Sequence, residues 1–131
     1  MTNLDFVCMQ TAQAMAGIPG DRAEKENLAT KALGVLHENG PYGMVLYLEC
    51  QKGTVAPKYT EQLVNLCGKE TLPKSIPEVP AAHDFQSVTG WLQHAAADLD
   101  TYLFIKRLWQ QALTYTRYHC KATGGESPSS E

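Results

Sequence analysis

The segment from Leu99 to Ala122 has the apolar spacing of one long amphipathic helix, and it constrains the fold more than any other part of the chain. At about 100° per residue, seven apolar side chains fall on one side of this helix: Phe104, Ile105, Leu108, Trp109, Ala112, Leu113 and Tyr115. A helix of this kind docks its apolar side on a core and leaves its other side to solvent or to a partner.

The opposite side of the same helix is basic, although the chain as a whole carries a net charge of −3. We call its four cations the basic stripe: Lys106, Arg107, Arg117 and Lys121. With Lys106 at zero, the other three fall within an arc of about 100° that runs for about 22 Å along the axis. Tyr118 borders this arc and is the aromatic side chain placed to stack on a base. The stripe predicts contact with a polyanion, and the plainer alternative is a solvated helix face.

Helix start and stop signals punctuate the rest of the chain, so we predict an all-α fold, a compact single-domain bundle of five to six helices. Asp21 begins a D-x-x-E helix start, and Asn39-Gly40-Pro41 ends that helix. Asp98 or Asp100 is expected to cap the last helix. The expected helices are 3–16, 21–39, 42–52, 60–67, 86–98 and 99–122. Residues 1–121 form the predicted helical domain, and 122–131 form a polar tail expected to be disordered.

Composition favours a cytoplasmic protein without a metal or a cofactor. No apolar run approaches the roughly 18 residues that span a bilayer, and no positive charge precedes the first apolar residues, as a signal peptide requires. The four cysteines lack the short spacings of a zinc site and are expected to be small buried hydrophobes. His83 and Asp84 are adjacent, which suits a surface loop better than a catalytic pair. We therefore predict that the chain is not an enzyme and has no catalytic residues.

Three stretches together resemble the small subunit of the type III-B CRISPR effector, the Cmr complex. The first is an Asn-Gly turn followed at once by an apolar helix that closes on Lys52, and the second is the pair Trp91-Leu92 ahead of the last helix. The third is the last helix itself, with Tyr102-Leu103 at its start, Lys106-Arg107 in the middle and Tyr118 and Lys121-Ala122 at its end. The resemblance spans residues 21–122, and the chain length and the order of the helices also agree with that family.

This resemblance implies a non-catalytic role in RNA-guided antiviral defence. Small subunits of this family stack along the crRNA–target RNA duplex, contact backbone subunits and further copies of themselves, and turn a basic face to the target RNA. Four positions carry over as RNA-facing: Lys52, Lys106, Arg107 and Lys121. Arg117 joins them on helix geometry alone. Two alternatives stay open: the small subunit of the related type III-A complex, and a helical adaptor or regulatory protein that binds an acidic protein partner.

Overall fold

Five helices make up the part of the chain that the computed structural model describes, which is residues 4–69 and 76–126, with side chains up to 123. They are α1 (Leu4–Ala16), α2 (Arg22–Glu49), α3 (Val55–Cys67), α4 (Phe85–Ala95) and α5 (Leu99–Glu126). These residues contain no strand. The predicted all-α class is confirmed.

Aspartate side chains begin three of the five helices. The Asp21 carboxylate accepts a hydrogen bond from the Glu24 N–H at 3.0 Å, and Asp84 accepts one from the Ser87 N–H at 3.2 Å. Asp98 accepts from the N–H of Thr101 at 3.1 Å. Each bond satisfies a donor that the first helical turn leaves without a backbone partner. The predicted cap at Asp21 is confirmed, and of the two candidates for the last helix it is Asp98 that makes the bond.

The long α2 is interrupted at Gly40, where the backbone has φ +82° and ψ −178°. Glycine tolerates this positive φ because it has no Cβ. After this break the second part of α2 runs back along the first part. Tyr47, Gln51 and Lys52 accordingly line one pocket together with residues 24–31. The predicted stop at Asn39-Gly40-Pro41 and the predicted helix after it are therefore both present, and α2 is a helical hairpin.

Two side chains of α5, one helical turn apart, hold this break. The Tyr102 hydroxyl oxygen accepts a hydrogen bond from the Tyr42 N–H at 3.0 Å. The Lys106 ammonium donates to the His37 carbonyl at 3.2 Å. In an uninterrupted helix that carbonyl would accept from the N–H of residue 41, but residue 41 is a proline and has none. The last helix thus satisfies the polar groups that the hairpin turn exposes.

The core lies around α5, which packs along α1 on one side and along α2 on the other. Five of the seven residues predicted for its apolar face are buried: Ile105, Leu108, Trp109, Ala112 and Leu113. Phe104 and Tyr115 are half-buried and pack against the core. The Trp109 indole N–H donates to the Leu63 carbonyl at 2.9 Å, so the largest core side chain also has its polar atom satisfied.

Helix boundaries differ most from the predicted ones at the start of the third helix and at the end of the last, and the predicted helices 42–52 and 86–98 end earlier, at Glu49 and Ala95. The third helix begins at Val55 rather than at residue 60, because Pro57 lies in its first turn, where a backbone N–H has no helical partner to lose. The last helix continues to Glu126, so residues 122–126 of the predicted tail are helical, and 127–131 lie outside the described residues. Extending an existing helix requires little additional ordering, and the Thr123 hydroxyl bonds back to the His119 carbonyl.

Candidate nucleic-acid interface

The part of α5 that faces neither α1 nor α2 forms the candidate surface. We call it the α5 strip and define it by five exposed residues: Leu99, Leu103, Arg107, Tyr118 and Lys121. Leu99 and Leu103 are 66% and 48% exposed, so one end of the strip is apolar and the rest is basic. The apolar end did not enter the sequence prediction, which considered the charges alone.

Arg107 and Lys121 are the two exposed cations of the strip. Neither forms a hydrogen bond or an ion pair with another residue in the described ranges, where Arg22–Glu26 is the one salt bridge. Their charges are therefore not neutralised by close partners within the chain. Such cations can approach phosphates and release the counterions bound to them.

Arg117 lies at the border between the α5 strip and α2 and is half-buried. Its Nε atom is buried and has no hydrogen-bond partner within the described residues. Its guanidinium carbon lies 5.8 Å from the centre of the Tyr118 ring, within the range of a cation–π contact. The guanidinium and the ring thus form one unit at the edge of the exposed surface.

Lys106, in contrast, is already engaged in the fold through its bond to the His37 carbonyl. That carbonyl ends a helical run, where the helix dipole favours a positive charge. The ammonium remains exposed, yet using it for a phosphate would compete with this bond. Of the four stripe residues, Lys106 is the one whose side chain hydrogen-bonds to another described residue.

The structure does not bring Lys52 to the α5 strip. Lys52 is exposed in the turn between α2 and α3, where it lines a pocket of about 110 Å³ with Glu24 and Lys31. The residues of that pocket come from α2, α3 and the turn between them, and none comes from α5. Four of the five predicted RNA-facing residues therefore share one helix, and the fifth lies on a separate surface.

A groove between α1 and α5 adjoins the strip and was not predicted. Its main part has a volume of about 450 Å³ and is lined by Met9, Ala12, Gln13, Tyr115, Tyr118, His119 and Ala122. We call this part the α1–α5 groove. Tyr118 is 58% exposed and belongs to both the groove and the strip. The one sequence signal for this site was Tyr118 at the edge of the basic arc, because the apolar pattern of α1 is too diffuse to show which side faces α5.

Hydrogen bonds between α1 and α5 cross the groove. The Asp5 carboxylate accepts from the Tyr115 hydroxyl and, at 3.2 Å, from the Gln111 amide. The bond to Asp5 raises the pKa of the Tyr115 hydroxyl because the carboxylate disfavours its ionisation. These contacts separate the main part from a smaller one of about 190 Å³ that Arg107 lines. Tyr115 is therefore committed to the fold, whereas no described residue hydrogen-bonds to the side chain of Tyr118.

The other residues considered for catalysis or metal binding either have structural roles or lack neighbouring ligands. Asp84 caps α4, and the hydrogen bonds from Ser87 lower its pKa. Cys8, Cys67 and Cys120 are buried as predicted, but Cys50 is exposed because it follows the last turn of α2 at the surface. In the part of the chain that the structure describes, no three His, Cys, Asp or Glu side chains lie close enough to hold a metal ion. None of the helices in those ranges is both long and apolar enough to cross a membrane.

Comparisons of the chain with protein-family models, curated proteins and solved structures find no match.

Proposed function

We propose that this chain is a non-catalytic RNA-contacting subunit of a larger ribonucleoprotein, of the kind represented by the small subunit of the type III-B CRISPR effector. Its α5 strip would lie against the target RNA of the crRNA–target duplex. Its other surfaces would meet the backbone subunits and further copies of itself. The biological role would be antiviral defence in the cytoplasm.

One observation carries the proposal: Arg107, Arg117 and Lys121 lie on one helix, and none has an ion-pair partner within the described residues. The chain around them is acidic, with a net charge of −3. An acidic protein with one basic surface suits contacts that are weak in a single copy and add up within an assembly. The proposal assigns no chemistry to the subunit.

A second candidate function is supported by the apolar end of the strip. Leu99 and Leu103 are both largely exposed on the same side of α5 as the cations. An exposed apolar side chain beside basic residues is also what an adaptor would offer to an acidic protein partner. RNA remains the preferred partner because the cations extend over several helical turns beyond the leucines.

Charge reversal tests the proposal. The variant Arg107→Glu, Arg117→Glu and Lys121→Glu leaves Lys106 and the helix break intact. Its matched control reverses three exposed lysines outside α5: Lys31, Lys58 and Lys69. The two variants have the same net charge, and circular dichroism establishes that both keep their helices. Binding of a fluorescent single-stranded RNA and of its duplex is then measured by anisotropy across a series of salt concentrations.

We expect the strip variant to bind RNA more weakly and to reduce the slope of log affinity against log salt by about 2–3, since each phosphate contact contributes roughly one unit. The lysine control should lose only the small amount that its changed net charge causes. Equal losses in both variants would mean that net charge, and not the strip, attracts RNA. Failure of the unmodified protein to bind RNA even at low salt would favour the adaptor.

A further inference from the structure

The α1–α5 groove combines the features of a site for a nucleobase. Its walls are mainly apolar, and Met9 and Tyr118 stand exposed at its edges. Two groups in its lining can hydrogen-bond to the edge of a base, the Gln13 amide and the His119 imidazole. A volume of about 450 Å³ is more than a single base requires. An aromatic face with a few polar groups is the usual environment of an unpaired base on a protein.

Cations lie on the side of Tyr118 away from the groove. The Arg117 guanidinium is 5.8 Å from the Tyr118 ring, and Lys121 follows Tyr118 by three residues, which places the two side chains next to each other on the helix surface. In a nucleotide, the base and the phosphate are separated by the sugar. A nucleotide with its base on the groove side of Tyr118 therefore reaches Arg117 and Lys121 with its phosphate.

We propose that the α1–α5 groove binds the base of an unpaired nucleotide, with Tyr118 stacked on the base and with Arg117 and Lys121 holding its phosphate. The inference rests on the proposed RNA contact and refines it, because it assigns the groove to a nucleotide of the target RNA that is not paired with the crRNA. A duplex alone would use the cations and leave the groove empty.

The methionine methyl groups offer a direct measurement in the intact protein. Met9 lines the groove and is 41% exposed, whereas Met15 and Met44 are fully buried and serve as internal controls. The protein is labelled at its methionine methyls and titrated with adenosine 5′-monophosphate, ribose 5-phosphate or adenosine at low salt. Such spectra detect binding even when the dissociation constant is in the millimolar range.

We expect the monophosphate to move the Met9 resonance through the ring current of its base and to leave Met15 and Met44 in place. Ribose 5-phosphate should leave Met9 unmoved, and adenosine should bind more weakly than the monophosphate. Tyr118→Ala should weaken binding of the monophosphate by roughly fivefold or more, the lower end of what one stacked base contributes. Tyr118→Phe should restore it, and Leu46→Ala, an exposed change on α2 outside both the groove and the α5 strip, should not alter it.

Three results would overturn the inference. One is an unmoved Met9 resonance at saturating monophosphate, and another is an equal shift with ribose 5-phosphate. The third is a larger shift with N-acetyl-phenylalanine amide, which would assign the groove to a protein side chain. Any of these leaves the salt-dependent RNA binding of the α5 strip untouched. Loss of that binding in the charge-reversal experiment would instead remove the RNA contact on which the inference rests.

Discussion

Replacement of Lys25 by methionine tests whether the buried Lys25 ammonium stabilises the end of α1. From the sequence alone, Lys25 would be taken for a surface cation. Lys25 is 9% exposed. Its ammonium donates to the Ala16 carbonyl at 2.6 Å and to the Ile18 carbonyl at 2.8 Å, both at the turn that ends α1. Methionine keeps most of the aliphatic stem and removes only the charged donor. The substitution therefore measures the cap on α1 with little change in packing.

The expected loss follows from these two bonds. A hydrogen bond to a charged group stabilises a protein by about 1.5–3 kcal/mol, so the pair contributes about 3–6 kcal/mol before compensation. Two effects reduce that figure: the variant no longer buries an ammonium group, and the half-buried Ala16 can regain a water molecule. We expect the free energy of unfolding to fall by about 2–4 kcal/mol, a large share of the stability of a domain of this size.

Urea unfolding followed by the fluorescence of Trp91 and Trp109 provides the measurement, because both indoles are buried. The control is Lys31→Met, an exposed lysine on the same helix. It should stay within about 0.5 kcal/mol of the unmodified protein, as most surface substitutions do. A Lys25→Met variant as stable as this control would refute the assignment of Lys25 as the cap of α1.

Four other predictions concern the helix break and the thiols. Lys106→Met should lower the free energy of unfolding by about 1 kcal/mol through the lost bond to the hairpin carbonyl, and an unchanged urea midpoint would contradict that contact. Gly40→Ala should cost about 1–3 kcal/mol because it forces a positive φ on a residue with a Cβ, which the same titration measures. Cys50 should react with a thiol reagent well before the buried Cys8 and Cys67. Burial raises the pKa of Cys8 from 9.0 to about 11 and that of Cys67 to about 12. Both thiols thus hold their protons more tightly when folded, so their contribution to stability should be fully present below pH 9 and fall between pH 9 and pH 11; a urea midpoint that stays constant from pH 9 to pH 11 would contradict their burial.

Much of the fold follows from local signals in the sequence. The start of α2 at Asp21 and its interruption at Asn39-Gly40-Pro41 depend on residues within one turn of each other, so single-sequence reasoning identifies them. The apolar face of α5 also follows from spacing alone. The start of α3 could not be predicted in this way. Proline interrupts the interior of a helix but is tolerated in its first turn, and the residues around Pro57 do not show which case applies.

The candidate surface was predictable only in part. Helix geometry placed Arg107, Arg117 and Lys121 on one arc, and the structure brings Arg117 against Tyr118. The α1–α5 groove depends on which side of α1 meets α5, and the pattern of α1 leaves that open. The exposed Leu103 also required the neighbouring helices, because an apolar residue becomes part of a surface only where no other element covers it.

The sequence by itself determined the helices, their interruptions and the presence of a basic arc, because these depend on residues close together along the chain. Tertiary structure decided what each charge does. Lys25 bonds to carbonyls of the turn that ends α1, Lys106 bonds to the His37 carbonyl of α2, Lys52 lies in the turn after α2, and Arg107 and Lys121 stay exposed. The sequence shows that a lysine is charged but not which group its ammonium meets. Packing between helices decides whether the ammonium bonds to a carbonyl or stays exposed and able to bind a phosphate.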